Sequence, residues 1–246
     1  MFLFKKKEIH LDVFTYRPEV LEYYPVDYSR KFFPQWWKNM PNEYIAQDTF
    51  WPVSTIKRCS GFLDYYSSGI VIPLWCDMAV DTHPLHCQWK FSDDVTTSVS
   101  HPSEQLGDYI DCNQYRHIKI ESPWLFNCKE EISFVWTQPD WNFEQHAEFF
   151  IPPAVINYKY NMGTNINLFV DKREEKRYII PAGQPMVNII PMSERKLKIH
   201  KHLLDKQEYD KKSSLSYASR FTNKYRNNKA ILKSKESRCP FGFGSK

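Results

Sequence analysis

Residues 164–203, TNINLFVDKREEKRYIIPAGQPMVNIIPMSERKLKIHKHL, decide the fold class of this chain. They hold four short segments with strand-like patterns, at 164–170, 177–180, 186–190 and 197–203. Alternating apolar and polar residues, clearest at 165–170, are typical of a strand with one buried face. The intervening residues 181–185, PAGQP, have the composition of a turn. Since no helical segment separates the four, the stretch predicts consecutive strands and not a parallel sheet with crossover helices.

The same strand pattern continues toward the N-terminus. Further strands are predicted at 8–16, 70–76, 86–91, 95–99, 115–120, 132–137, 149–151 and 154–158. Residues 92–94 are predicted to join two of these strands as a hairpin loop. Apolar residues spaced by three and four predict a helix at 54–68, and a short helical turn is expected near Pro34. We therefore predict a mainly β fold with a few short helices: an antiparallel two-sheet sandwich or jelly-roll, cupin-like in outline.

Aromatic residues are unusually frequent. The chain of 246 residues contains 8 Trp, 15 Tyr and 17 Phe, which together make up 16% of it. Flat rings cover a pleated sheet well and also supply contact area for a partner. The surplus therefore favours strands and indicates a protein with potential binding surface.

The cysteines and the absence of long apolar runs bear on the compartment. Six cysteines stand at wide spacings without a CxxC pair: Cys59, Cys76, Cys87, Cys112, Cys128 and Cys239. The first residues place their lysines after a very short apolar stretch, the reverse of a signal peptide. No run of about 18 apolar residues is present to span a membrane. These features predict reduced thiols, a cytoplasmic location and no membrane partner.

The charge is divided unevenly along the chain. Residues 195–246 carry 15 Lys/Arg against 4 Asp/Glu, whereas residues 1–194 carry 18 against 25. Strand patterns also end near residue 204, and a helix is predicted from about 214 to 232. We expect a β-sandwich core at 1–204 and a basic helical tail at 205–246 that meets something anionic.

Four basic residues of the tail are the candidate partner-binding residues: Arg220, Lys224, Arg226 and Lys229. Together with neighbouring aromatic residues, they could follow a phosphate backbone while rings stack on bases. The other interpretation is a helix whose apolar stripe docks on the acidic core of its own chain or on a second subunit. The core-like spacing of that stripe favours docking on protein, with nucleic-acid binding as the weaker alternative.

A candidate metal site consists of His146, Glu148 and His200. On a strand, residues i and i+2 share a face, so His146 and Glu148 could bind one ion together with a distant histidine. Two histidines and one carboxylate form the facial set that holds Fe(II) in non-haem oxygenases, and double-stranded β-helix oxygenases resemble this layout. The simpler interpretation is that His146 and Glu148 flank a loop and are solvated. Fe(II) is therefore the alternative cofactor, and the main prediction is that the protein has none.

Other motifs for chemistry are weak or missing. His83, His86 and Cys87 could join His200 and His202 at a zinc site, but Pro84 indicates a turn between two strands. The sequence contains no GxSxG elbow, no GxGxxG and no phosphate-binding loop. The sequence therefore favours a protein that is not an enzyme.

Several stretches together resemble a family of uncharacterised proteins from T4-like tailed phages of marine cyanobacteria. They are FPQWWK at 33–38, IKRCSGFLDYY at 56–66, PLWCD at 73–77, SPW at 122–124, IPPAVINYK at 151–159 and TNINL at 164–168. The family supplies no catalytic residue. The resemblance implies a viral source and expression in the cytoplasm of an infected host cell, with the virion as a second location. The resulting hypothesis is a phage binding or assembly protein that meets a protein partner or a second copy of itself.

Overall fold

A computed structural model describes residues 8–46, 48, 50–105, 107, 114–143, 148–217, 229–231 and 234, with the backbone alone at 103 and 215–217. Strands dominate the described part, which confirms the predicted mainly β class. The strands are β1 (Ile9–Thr15), β2 (Asp27–Tyr28), β3 (Glu43–Ile45), β4 (Pro52–Ser54), β5 (Ile70–Pro73), β6 (Met78–His83), β7 (His86–Phe91), β8 (Ser98–Ser100), β9 (Tyr115–Ile120), β10 (Leu125–Cys128), β11 (Ser133–Thr137), β12 (Phe149–Phe150), β13 (Ala154–Asn157), β14 (Ile166–Asp171), β15 (Lys176–Ile180), β16 (Pro185–Pro191) and β17 (Leu197–Leu203).

Helices are few and short. They are α1 (Pro18–Tyr23), α2 (Gln35–Asn39), α3 (Ser60–Ser68) and α4 (Lys206–Tyr217), with 3₁₀ turns at Ser29–Phe32, Ile56–Arg58, Ser103–Gln105 and Asp140–Asn142. The predicted turn near Pro34 is confirmed as α2. The helix predicted at 54–68 begins later, at Ser60. Thr55 instead caps the preceding 3₁₀ turn by accepting the Lys57 N–H at 3.3 Å.

The described strands pair into five sheets, an arrangement consistent with a β-sandwich. In order of neighbours, they are β10-β1-β17, β13-β11-β16-β5-β2, β12-β14-β9-β8, β15-β6-β7 and β3-β4. The predicted hairpin between the strands at 86–91 and 95–99 is wrong, because β7 pairs with β6 and β8 pairs with β9. The loop between them is held by Asp93, which accepts hydrogen bonds from Arg17 and from Thr96.

One strand pair departs from the antiparallel expectation. β1 and β17 run parallel in register from Ile9↔Leu197 to Thr15↔Leu203, and β1 pairs antiparallel with β10 on its other side. A parallel pair needs a long connection, and here nearly the whole chain provides it. The first strand and the last strand of the described core therefore lie side by side.

The core lies on the apolar sides of these strands. Ile9, Leu11 and Val13 of β1 are fully buried, as the alternation of this strand predicts. They belong to one cluster that includes residues of β5, β9, β11, β14 and β16. Trp75 and Trp124 are also buried in it, so two of the tryptophans serve packing and not binding.

Helix α4 packs on the core at its first turns. Tyr209 is buried, its ring lies 4.6 Å from that of Tyr16, and its hydroxyl donates to the Ser122 carbonyl at 3.3 Å. α4 begins at residue 206, eight residues before the predicted start of the tail helix. Residues 229–231 are helical, and the rest of the predicted helix beyond 217 lies outside the described residues.

Candidate functional site

The residues of the predicted iron site do not come together within the described part of the chain. Glu148 lies beside β12, where its carboxylate accepts hydrogen bonds from Lys176 at 3.1 and 3.2 Å. His200 lies on β17, in another sheet, with Nε2 2.9 Å from Nδ1 of His10. His146 lies outside the described residues. No group of three metal-ligating side chains is found among the residues that are described. Metal analysis of protein purified without chelator would test the iron prediction directly.

The histidines of β17 take part in strand-to-strand contacts. His202 Nε2 lies 2.9 Å from an oxygen of Asp12, and its ring stacks on that of Phe14. The His10 and His200 rings are stacked with their centroids 5.2 Å apart. Since Asp12, Phe14 and His10 all belong to β1, these side chains connect β1 to β17 across the outer face of the pair. His83 and His86 stack on each other at the β6–β7 turn, in a different sheet from His200.

One of the four candidate partner-binding residues of the tail is described. Lys229 lies 3.3 Å from a carboxylate oxygen of Glu131, and its ammonium is 5.7 Å from the centre of the Tyr160 ring. This contact joins the tail to the core of the same chain at Lys229. Arg220, Lys224 and Arg226 lie outside the described residues.

The described cysteines are free thiols, and three of them have a raised pKa. The described cysteines are Cys59, Cys76, Cys87 and Cys128. Burial raises the pKa of the Cys76 thiol to about 11, against a weaker opposing effect of its hydrogen bond to Thr96. Burial also raises the pKa of Cys87 and of Cys128. A thiol with a raised pKa holds little thiolate near neutral pH, so these three are suited to packing.

A projecting hairpin carries a concentrated group of exposed apolar side chains. This aromatic hairpin comprises residues 43–54: the strands β3 and β4 and the loop between them, in which 47 and 49 are not described. Phe50 is 84% exposed and Trp51 is 75% exposed, and Ile45, Tyr44 and Val53 are exposed beside them. An isolated two-stranded sheet is only marginally stable in water, and a group of exposed apolar side chains often marks an interaction site. The exposed side chains of this hairpin are therefore a candidate interface.

Hydrogen bonds close the base of the aromatic hairpin and join it to the end of α2. The Thr55 hydroxyl donates to the Pro41 carbonyl at 2.7 Å, and the Thr55 N–H donates to the Asn42 carbonyl at 3.0 Å. Lys57 Nζ donates to the carbonyls of Lys38 and Met40, which ties the 3₁₀ turn at 56–58 to the end of α2. These bonds hold the two ends of the hairpin together and leave its loop projecting.

Aromatic side chains pack together where the hairpin leaves the core. This aromatic cluster comprises Phe33, Trp36, Trp37, Phe62, Tyr66 and Trp141, whose neighbouring ring centres lie 4.2 to 6.1 Å apart. Trp36 Nε1 donates to the Trp141 carbonyl at 2.9 Å. Trp36 and Trp37 are half-buried. The cluster thus forms a rigid support that α2 and α3 share.

The loop of the aromatic hairpin holds Phe50 in an unusual conformation. Its φ is +55°, the only positive value at a non-glycine residue in the described part of the chain. The left-handed region disfavours bulky side chains, and residues held there concentrate at functional sites. The Phe50 N–H donates to the Ala46 carbonyl at 3.2 Å, which helps to hold this conformation. The result is a phenyl ring presented to solvent at the end of the loop.

The aromatic hairpin carries two acidic side chains, Glu43 and Asp48, and one of them is compensated by Arg58 at its base. Arg58 Nη1 lies 2.7 Å from a Glu43 carboxylate oxygen at the base. Asp48 is the one acidic residue described in the loop. An interface formed here would bury apolar rings with few charges to desolvate.

Sequence reasoning missed the aromatic hairpin because its strands are only three residues long and too short to show a period. The surplus of aromatic residues was the available signal, but it did not indicate which rings are exposed.

No family model matches the chain, and no curated protein matches it significantly. Within the described residues, no helix is both long and apolar enough to cross a membrane.

Proposed function

We propose that the chain is a non-enzymatic binding or assembly protein that associates with a second copy of itself through the aromatic hairpin. The observation that carries this proposal is the exposure of Phe50 and Trp51 at the end of an anchored hairpin. Exposed aromatic anchors on a rigid support lose little conformational entropy on binding.

A second copy is the favoured partner because the hairpin together with Arg58 has a surplus of only one acidic charge and, within the described residues, neither of its edges pairs with another strand. In a two-fold dimer the same patch meets itself, so an apolar patch with little net charge meets little self-repulsion. Unpaired strand edges on both hairpins could add backbone hydrogen bonds across the same contact.

Sedimentation velocity over a range of concentrations tests this proposal. The wild-type chain is expected to show a concentration-dependent dimer, and the double variant Phe50→Ser/Trp51→Ser is expected to remain monomeric. Leu85→Ser is the control. Leu85 is 87% exposed at the tip of the β6–β7 hairpin, so this substitution removes an exposed apolar side chain from a different surface. A monomeric wild type at all concentrations, or a dimer that survives the double variant, would contradict the proposal.

We also propose a phage origin for the chain, with action in the host cytoplasm or in the virion. The stretches at 33–38, 56–66 and 151–159 that resemble cyanobacterial phage proteins support it. We propose in addition that the strands form a jelly-roll and that residues 205–246 form a helical tail. Sequencing the DNA that flanks the gene tests the origin: phage structural genes are expected on both sides, and bacterial metabolic genes would contradict it.

A further inference from the structure

We propose that a cleft between the 3₁₀ turn at Ser29–Phe32, the end of α3 and the beginning of β17 binds a small phosphorylated sugar. The cleft has a volume of about 400 Å³, within the range of small-molecule sites. The inference concerns a surface separate from the aromatic hairpin and does not depend on self-association.

Positive charge predominates in the cleft, because three of its four cations belong to the basic part of the chain that begins at residue 195. Its lining includes the cations Arg30, Arg195, Lys196 and Lys198 against the acids Glu8 and Glu194. Glu130, which is not part of the lining, pairs with both terminal nitrogens of Arg195 at 2.7 and 2.8 Å. Arg30, Lys196 and Lys198 form no ion pair within the described part of the chain, so they are available to an anion.

Two hydroxyl groups in the lining, those of Tyr28 and Ser193, retain a proton to donate to a ligand. Arg30 is steadied by the Tyr28 ring, whose centre lies 5.1 Å from its guanidinium carbon. The Tyr28 hydroxyl accepts the Ile199 N–H at 3.2 Å, and the Ser193 hydroxyl accepts the Arg195 N–H at 3.2 Å. Each hydroxyl keeps its own proton to donate. Together with the cations, these donors suit the oxygens of a phosphate group.

The end of α3 supplies acceptors to the cleft. The Ser67 and Ser68 hydroxyls both donate to the Asp64 carbonyl, at 3.2 and 2.7 Å. Their lone pairs remain free to accept hydrogen bonds from hydroxyl groups of a ligand. Cations and donors together with serine acceptors in one cleft fit a phosphate joined to a sugar better than they fit phosphate alone.

Titration of the full chain with ribose 5-phosphate at low ionic strength, followed by NMR, tests this inference. Saturable shifts are expected for Arg30, Lys198 and Ser68. Lys198→Glu is expected to weaken binding by about tenfold or more through loss of a cation and gain of a repulsive charge. Lys90→Glu is the matched control, since Lys90 is also an exposed strand lysine and the net charge changes equally.

A second variant separates the contribution of the serine acceptors from that of the cations. Ser68→Ala is expected to weaken binding of ribose 5-phosphate and to leave the binding of inorganic phosphate unchanged. Absence of saturable binding up to about 10 mM, or an equal loss in the Lys90 control, would overturn the inference. An unchanged ribose 5-phosphate affinity in Ser68→Ala would also overturn the assignment of a sugar phosphate. Thermal unfolding of each variant confirms that the fold is retained.

Discussion

At the scale of the residue, Gly69 occupies a position that no side chain can share. A Cβ atom there would lie 2.8 Å from both Asn188 Oδ1 and the Ile189 carbonyl, and 3.0 Å from the Ser29 hydroxyl. Asn188 and Ser29 are themselves buried and hydrogen-bonded to each other at 2.6 Å. The close approach of the end of α3 to β16 therefore depends on glycine.

Gly69→Ala is expected to lower the free energy of unfolding by about 1–3 kcal/mol, the usual cost of overpacking a core. Gly61→Ala is the control, because nothing lies within 4 Å of the Cβ position at that residue of α3. There alanine should be neutral or should stabilise the helix by up to about 1 kcal/mol. Urea unfolding of both variants measures the difference, and equal values would contradict the steric argument.

Asp27 gives the chain a specific dependence on pH. Burial opposes its ionisation, but hydrogen bonds from Lys31 at 2.8 Å and Lys201 at 2.9 Å outweigh burial. The pKa of Asp27 is therefore held below its ordinary value of 3.8. Because the folded state has the lower pKa, the stabilisation is complete above about pH 4 and is lost as the pH falls through the folded pKa.

Asp27→Asn is expected to cost about 1–3 kcal/mol at pH 7, the range for hydrogen bonds to charged groups. The gap between wild type and variant should shrink as the pH falls below 3.8, the ordinary value for this carboxyl. Asp81→Asn is the control, since Asp81 forms an exposed ion pair with Arg177 and should contribute less than about 1 kcal/mol. Unfolding by urea at several pH values checks both. A constant gap between pH 7 and pH 2 would contradict the assignment.

At the scale of the element, α4 packs on aromatic side chains at the C-terminal end of β1. Tyr209 packs on Tyr16, Lys206 Nζ lies 4.5 Å from the centre of the Tyr16 ring, and Lys212 Nζ lies 5.0 Å from that of Phe14. Removal of α4 would expose the rings of Tyr16 and Phe14, because it takes away the lysine side chains that cover them.

Truncation after Leu204 is therefore expected to lower the melting temperature by several degrees, because it removes the buried side chain of Tyr209. Truncation after Tyr217 keeps α4 and is the control, with a melting temperature close to that of the full chain. Differential scanning calorimetry of the two truncated chains and the full chain measures the effect. Equal melting temperatures for the two truncations would show that α4 does not stabilise the core.

At the scale of the whole molecule, local patterns predicted most of the strands but not β2, β3, β4, β6 and β10, and they did not predict which strands pair. The alternation of β1 correctly identified Ile9, Leu11 and Val13 as buried. It contained no information on pairing with β17, since His10 and His200 are 190 residues apart and sequence distance favours neighbours. The hairpin predicted across 92–94 failed for a related reason: the ionic contact of Asp93 with Arg17, distant in sequence, holds that loop.

The candidate site was less predictable than the fold. Exposure of Phe50 and Trp51 results from a projecting hairpin, and composition alone cannot separate such rings from buried Trp75 and Trp124. The cleft residues Arg30 and Lys198 come together through the β2–β5 and β1–β17 pairings, which no local pattern encodes. Charge counting showed that the chain is basic from residue 195, but it could not show that Arg195, Lys196 and Lys198 meet Arg30 in one cleft.

The parallel pairing of β1 with β17 also makes the force needed to unfold the chain depend on the direction in which it is pulled. Tension applied at Glu8 and Leu204 pulls the two strands along their length in opposite senses, so the hydrogen bonds of the pair carry the load together. Tension applied at Glu8 and Lys129 acts on the same end of the antiparallel β1–β10 pair and breaks its bonds one after another. Optical-trap measurements should find a higher rupture force for the first pair of attachment points, and equal forces would contradict this geometry.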